Sequence, residues 1–291
     1  MSLPPILNRA LKAAYEGANE IIHFSKRIDN LEVIKKGVND VTTKVDKYVE
    51  NIVFDNLKQH YPDFGYFGEE SGLEGIDEKE SSWVLDPIDG TRNFVHGYPH
   101  YALSLACLSE GKAICAVIID PLRDEVFCAG EGTGSLLNNK RIRANKKNTL
   151  KNAFLSSVGH SNPEQKYTYK VLDTFKELGK YDVTIRRSGC TALDLAYCAA
   201  GRLDGFWGHG LNLWDRLAGL YIAQSAGALI GDFTGEPDTY NSDHMIVAGP
   251  KCFKELSNVL LQDINLRNKI PLVHFWVFPY LSLTNLLKGE L

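Results

Sequence analysis

The sequence predicts an α+β protein, with an antiparallel sheet in its first half and a mixed α/β layer in its second. Two observations predict it. Residues 101–108, 113–119, 125–129 and 134–138 read as short strands separated by Gly, Pro and Asp, too close together for crossover helices, so they pair antiparallel. From residue 153 onward, strand-like and helix-like stretches alternate instead.

In chain order, Ile6, Ala10, Leu11, Ala14, Ala18, Ile21 and Ile22 have helical spacing and predict a helix over 5–26. A second helix begins near Thr42 or Thr43 and runs to about Gln59, with Val45, Val49, Ile52, Val53 and Leu57 as its buried stripe. Asp46 and Glu50, four apart, share a neighbouring face that is solvated by default. Trp83-Val84-Leu85 reads as a short buried strand ending abruptly in Asp-Pro-Ile-Asp-Gly. In the second half the expected order is strand 153–158, helix 164–178, strand 183–187, helix 191–200 and strand 203–207. Helix 214–226, strands 228–232 and 245–249, and helix 251–262 complete it. The division this suggests is residues 1–150, residues 151–265 and an apolar tail 266–291, the first two making one compact catalytic unit.

Composition narrows the function. Across 291 residues the formal charge is −4, so no general basic field attracts nucleic acid or anionic membranes. A phosphate substrate would need local cationic help. The six cysteines form no C-x-x-C pair, stand at no zinc-ligand spacing and lie mostly in apolar runs, as small reduced core residues do. With no basic-then-apolar leader at the amino terminus, this points to the cytoplasm.

The most informative stretch is Asp86-Pro87-Ile88-Asp89-Gly90-Thr91. Two carboxylates three apart around a proline at a strand end can point into one cleft, where carboxylate and carbonyl oxygens suit magnesium. The backbone N–H groups of Gly90 and Thr91 can cradle phosphate oxygens. The same residue types also make an ordinary surface turn, and the hexapeptide alone does not separate the two readings. Glu69 and Glu70 lie in a glycine-flanked turn, and Asp215 follows Trp214 at a helix start that favours an acid in any case.

Taken together, four segments resemble the inositol monophosphatase family: Asp40-Val41-Thr42-Thr43-Lys44-Val45-Asp46, Gly68-Glu69-Glu70-Ser71, Trp83 through Phe94, and Leu213-Trp214-Asp215. Gly201 through Gly205 and Ser225 through Ala228 match as well. The resemblance covers about Ile6 to Leu261. It implies a layered α/β/α/β/α sandwich of the sugar-phosphatase type, a homodimer, lithium sensitivity and Mg²⁺-dependent hydrolysis of a phosphate monoester. Carried over by position, it makes Glu69, Asp86 and the Ile88 carbonyl ligands of one metal, and Asp86, Asp89 and Asp215 ligands of a second. Thr91 and Asp46 orient or deprotonate the attacking water. The Gly90 and Thr91 amides hold the phosphate, and Gly189-Cys190-Thr191 lies against the alcohol. Some bacterial members of the family act on transcription through RNA polymerase, which leaves a regulatory role as the alternative.

Two departures stand out. Seven residues before the aspartate of Trp-Asp the family commonly has a glutamate that binds an inositol hydroxyl; here Gly208 stands there, and the adjacent His209 reads as an ordinary loop histidine. This leaves open the same chemistry on fructose 1,6-bisphosphate, a nucleotide 3′-phosphate or NADP. The second departure is the apolar, aromatic run 271–287, shorter than the ~20 residues that span a bilayer and interrupted by prolines. Its plainest reading is an extra element packed on the body or dimer surface. A peripheral membrane contact and an altered reading frame are the other two.

Overall fold

The computed structural model describes residues 3–27, 33–37, 40–74, 81–146, 149–159, 171–233, 242 and 244–264. The tail 266–291 and the beginning of the expected helix 164–178 lie outside the described residues.

Helix α1 (Pro5–Ser25) buries Leu7, Ala10, Ala14, Ala18 and Ile21 along one stripe. A short hairpin follows, β1 (Val33–Gly37) and β2 (Asp40–Thr43), which the sequence reading did not foresee. Helix α2 (Lys44–Lys58) starts at Thr43 because Thr43 and Asp46 form a capping box. Next come β3 (Gly65–Gly68), β4 (Gly72–Glu74), β5 (Ser82–Asp89) and the single helical turn α3 (Thr91–Val95). The meander is β6 (Ala102–Ser109), β7 (Lys112–Asp120), β8 (Glu125–Gly130), β9 (Gly134–Leu137) and β10 (Lys140–Arg141). These strands form an eight-stranded sheet in the order β10-β9-β8-β7-β6-β5-β3-β4.

Two expectations change here. The first-half sheet is not wholly antiparallel, because β3 runs parallel to β5. β5 also does not stop at Leu85 but continues through Asp86-Pro87-Ile88-Asp89. Proline is tolerated because the β3 partners end at Leu85 and the register against β6 shifts between Asp86 and Asp89, so the missing N–H falls at a bulge.

The second half supplies β11 (Phe154–Gly159), α4 (Val171–Gly179), β12 (Thr184–Arg186), α5 (Thr191–Ala199), β13 (Gly205–His209) and α6 (Leu213–Ser225). It ends with β14 (Leu229–Gly231), β15 (His244–Ala248) and α7 (Pro250–Ile264). Its five-stranded sheet has the order β12-β11-β13-β15-β14, with parallel and antiparallel pairs. This is the mixed layer that the alternation predicts.

Three cores define the layers. Leu103, Leu105 and Cys107 of β6 face α1 and α2, while Ala102, Ala106 and Leu108 point the other way, toward α5 and α6. Those two helices lie between the sheets, touching Ile118 and Phe127 on one side and Phe206, Met245 and Val247 on the other. Beyond the second sheet, Leu256 and Val259 of α7 and Leu178 of α4 close the last layer against Trp207 and Ile246. The result is the α/β/α/β/α sandwich, and it explains why the central strands are apolar on both faces. All six cysteines are buried and free.

The close packing of α5 on α6 depends on Gly219, where a Cβ would lie 2.5 Å from the Leu195 Cβ. At Gly17 in α1 the nearest atoms, at 2.7 Å, are the methyl ends of Leu103 and Val53, which can turn aside. Gly219→Ala is therefore expected to cost ~1–3 kcal/mol and to lower Tm by several degrees. Gly17→Ala costs less, because its strain is offset by the ~1 kcal/mol of helix propensity alanine gains over glycine. Thermal melting of both variants checks the order, and equal losses would refute it.

Candidate carboxylate and phosphate site

The end of β5 is where two buried acids emerge side by side from the sheet. Asp86 is 1% exposed and Asp89 9% exposed. The Asp86 Oδ1 accepts from the Ile88 N–H at 3.0 Å, which closes the turn around Pro87. The Asp89 Oδ2 accepts from the Ala192 N–H at 2.5 Å and from the Cys190 thiol at 3.2 Å, both at the start of α5. Burial raises the pKa of both carboxyls well above the ordinary range, and the charges of Glu69 and Asp215 push in the same direction; for Asp89 the Ala192 N–H opposes this. Burial and Asp89 likewise raise the Cys190 pKa, keeping it a thiol.

Glu69 enters through the parallel β3–β5 pairing. Its N–H bonds the Leu85 carbonyl at 3.2 Å, which lays it beside Asp86. The turn that carries it is fixed from below by Glu50, whose buried carboxylate accepts from the Glu70 N–H at 3.0 Å. Glu50 fills the space a Cβ at position 68 would need, which is why glycine stands there. The sequence reading placed Glu50 four residues from Asp46 on one face of α2 but gave it no role in the site. Asp215 arrives from the opposite side as the third residue of α6, its Oδ2 accepting from the Asn212 N–H at 2.8 Å in a capping box. The helix-start reading of Asp215 holds, and its charge is close enough to act on Asp86 and Asp89.

Asp46 does not lie on a solvated face as the default predicts; it is fully buried. Its Oδ2 accepts from the Thr43 N–H and hydroxyl at 2.8 and 2.6 Å, and its Oδ1 lies 3.2 Å from the Thr91 hydroxyl. That hydroxyl also reaches the Ile88 carbonyl at 2.9 Å. Burial pushes the Asp46 carboxyl up to about 6, against the lowering effect of the Thr43 hydrogen bonds.

Gly90 links the two halves of the site. At φ 91° it takes the left-handed turn from β5 into α3, and a Cβ there would crowd the His100 and Gly189 carbonyls at 3.1 and 3.2 Å. Asn93 fastens the same junction, its Nδ2 donating to the His100 and Ser188 carbonyls at 2.6 and 2.8 Å. Gly90 therefore stands next to Gly189 and Cys190, although about a hundred residues separate them in the chain. Contacts thus link Asp46, Ile88 and Thr91 to one another, and Asp89 and Gly90 to Gly189 and Cys190.

Gly208 is closely packed: a Cβ there would meet the apolar side chains of Val158, Leu211 and Phe206 at 2.9–3.0 Å. His209 is the last residue of β13 rather than a loop residue, and it is buried. Strand alternation turns it to the other face, where its ring lies against Gly159.

Chemically, the cluster is an oxygen-only set of carboxylates with one adjacent carbonyl, the set hard divalent cations take. Among the described residues, no three acids, histidines or cysteines stand in finished metal-holding geometry. Glu69 and Asp86 hydrogen-bond to each other, and Asp89 and Asp215 lean on backbone amides. Anionic carboxylates in this position repel one another, so the donor chemistry fits a cation that replaces the shared protons.

A sequence model of the inositol monophosphatase family matches residues 3–266. Among curated proteins, the chain is 40% identical to Nus factor SuhB of Pseudomonas aeruginosa over 257 residues, 87% of this chain and 95% of that one. To Nus factor SuhB of Escherichia coli K12 it is 37% identical, covering 87% and 94%. Among solved structures, the extragenic suppressor protein suhB of Bartonella henselae superposes with a TM-score of 0.84 at 32% identity, covering 88% of this chain and 98% of that one. An IMPase of Thermotoga maritima gives 0.80 at 30%, covering 90% and 99%. On the layered fold and these matches, the chain belongs to the inositol monophosphatase family.

Proposed function

We propose that this chain is a Mg²⁺-dependent phosphomonoesterase that hydrolyses a small phosphate monoester by attack of water, with inositol monophosphate as the first candidate. The observation that carries the reading is the convergence of Glu69, Asp86, Asp89 and Asp215 beside the Thr91–Asp46 pair. Glu69, Asp86 and the Ile88 carbonyl would hold one magnesium, and Asp86, Asp89 and Asp215 a second. Magnesium, when bound, supplies charge neutralisation for the phosphate and the leaving alcohol and lowers the pKa of water.

The chain's own part is positioning and proton transfer. The Thr91 hydroxyl, shared between the Ile88 carbonyl and Asp46, orients a water by accepting its proton and passing its own to Asp46. A carboxyl near pKa 6 is a competent base close to neutral pH. The Gly90 and Thr91 amides hold phosphate oxygens, and Gly189, Cys190 and Thr191 bound the alcohol pocket. The protein works as a lithium-sensitive homodimer in the cytoplasm. Among the described residues no helix is long and apolar enough to cross a membrane.

Two observations favour additional readings. Glycine at position 208, where the family commonly has a glutamate, favours alcohols that do not need that contact, such as fructose 1,6-bisphosphate, a nucleotide 3′-phosphate or NADP. The relatives named Nus factor favour a role in transcription through contact with RNA polymerase. Co-purification of the polymerase with an Asp89→Asn variant would support that role as separate from catalysis, and its absence with the parent protein would remove it.

Two further outcomes are expected. In a Mg²⁺-dependent phosphate-release assay over the substrate panel, Asp89→Asn and Thr91→Ala each lower kcat by about 100-fold or more. Parent-level rates in Asp89→Asn would refute the reading. The second outcome concerns stability against pH. Asp46, Asp86 and Asp89 have folded pKa values above their unfolded ones, so the native state binds more protons and loses stability as pH rises. For Asp46 the loss falls between about pH 4 and 6, at ~1.4 kcal/mol per pH unit. In EDTA the protein should melt several degrees lower at pH 7.5 than at pH 5, and Mg²⁺ should restore most of the difference. A flat profile in EDTA would contradict the buried, mutually repelling cluster.

A further inference from the structure

One concavity lies away from the carboxylate cluster. A cavity of about 580 Å³ lies where the segment 142–146 crosses between the end of α6 and the start of α7. Its charged lining is Arg143, Lys146 and Lys251, with Asn145, Gln224 and Ser225 as polar groups and no acidic side chain among the described residues. In a chain of net charge −4, three cations around one hollow run against the overall balance. We propose that this cavity is a second ligand site, for a small organic phosphate carrying at least two negative charges, distinct from the carboxylate cluster.

The three cations form no ion pair among the described residues; Arg143 donates only to its neighbour's carbonyl, at Ile142, 3.2 Å away. The nearby acids are turned elsewhere. Glu255 accepts from the Leu150 N–H at 2.6 Å, and Asp204 accepts from Asn145 and the Phe154 N–H at 2.5 and 2.8 Å. Unpaired cations at this density repel one another, and an anion between them removes that cost.

The walls are fixed in advance. Ile142 N–H bonds the Ser135 carbonyl at 3.0 Å, and Ala144 N–H bonds the Ala226 carbonyl at 3.1 Å. Gly249 leaves room for the Asn145 carbonyl where a Cβ would stand. At the end of α6 the carbonyls of Ala223 and Gln224 are taken by the N–H groups of Ala226, Ala228 and Gly227, which mutes the negative end of that helix. The 15-residue α7 starts at the opposite wall with Pro250, and its positive end adds to the field of the cations.

Size and distance set the ligand class. A volume of this order holds a drug-sized or nucleotide-sized molecule. The polar amides and hydroxyl beside the cations suit an organic body carrying hydroxyls. Ten residues of α6 separate Asp215 from Ser225, or about 15 Å along the axis, too far for one ligand's phosphate to reach both places. The site is therefore independent of the reaction proposed above.

Titration calorimetry of the full chain with pyrophosphate, in EDTA and at low salt, tests this. Binding is expected with the parent protein, weakening as NaCl is raised. The double variant Arg143→Gln, Lys251→Gln should bind at least tenfold more weakly while melting at the parent's temperature, since both side chains are exposed. Lys146→Gln alone should weaken binding by a smaller factor and serves if the double variant melts early. No binding by the parent at millimolar pyrophosphate, or parent-like affinity in the variants, would overturn the proposal.

Discussion

Everything at the candidate catalytic centre follows from gathering carboxylates that repel one another, with Asp86 and Asp89 buried and Glu69 and Asp215 half-buried. Asp86 and Asp89 emerge from a strand covered on both faces, and α5 and α6 close over them from the second half of the chain. Burying such groups as anions costs several kcal/mol each unless donors or cations compensate. The fold supplies partial compensation from backbone amides: Ile88 for Asp86, Ala192 for Asp89 and Asn212 for Asp215. Two of those amides belong to helix starts, so the centre is assembled from helix N-termini aimed at the end of one strand. What the amides leave uncompensated is the free energy available to divalent cations.

That constraint explains the parts of the molecule farther out. Glu50 is a buried carboxylate that touches no substrate position, yet it fixes the turn bearing Glu69 by accepting from its backbone. Gly68 is small because Glu50 needs the space, and Gly90 is left-handed because β5 must turn at once into α3 while the Gly189 loop presses against it. Asp46 serves twice, as the cap partner of Thr43 and as the acceptor of the Thr91 hydroxyl, so the start of α2 is held in register with the end of β5. A change at any of these positions acts on the four acids through geometry rather than through charge.

The individual helices and most strands were legible in the sequence because they rest on short-range signals, whereas the layered sandwich came from the family resemblance. Helical stripes marked α1 and α2, and strand spacing marked β6 to β9, while the Asp-Pro-Ile-Asp-Gly-Thr run by itself left a site and a surface turn unseparated. The misreadings have long-range causes. Nothing local announces that Gly65–Gly68 pairs parallel with β5, because the pairing is fixed by where α2 delivers the chain. Pro87 argued for a strand end at Leu85, and only the register shift against β6 shows why the strand continues. Asp46 looked solvated because a helix face reveals its period and not its partner, and that partner, Thr91, is 45 residues away.

The acidic centre and the basic cavity share helix α6, and one might be taken as the counter-charge of the other. Distance argues against it. Over about 15 Å, two unit charges at an effective dielectric of 20 interact by only ~1 kcal/mol, against ~4 kcal/mol at contact. Through solvent the separation exceeds the ~10 Å Debye length at 0.1 M salt. Neither cluster can satisfy the other across the helix. Each therefore keeps its own unmet charge, the acids for cations at the start of α6 and Arg143, Lys146 and Lys251 for anions at its end.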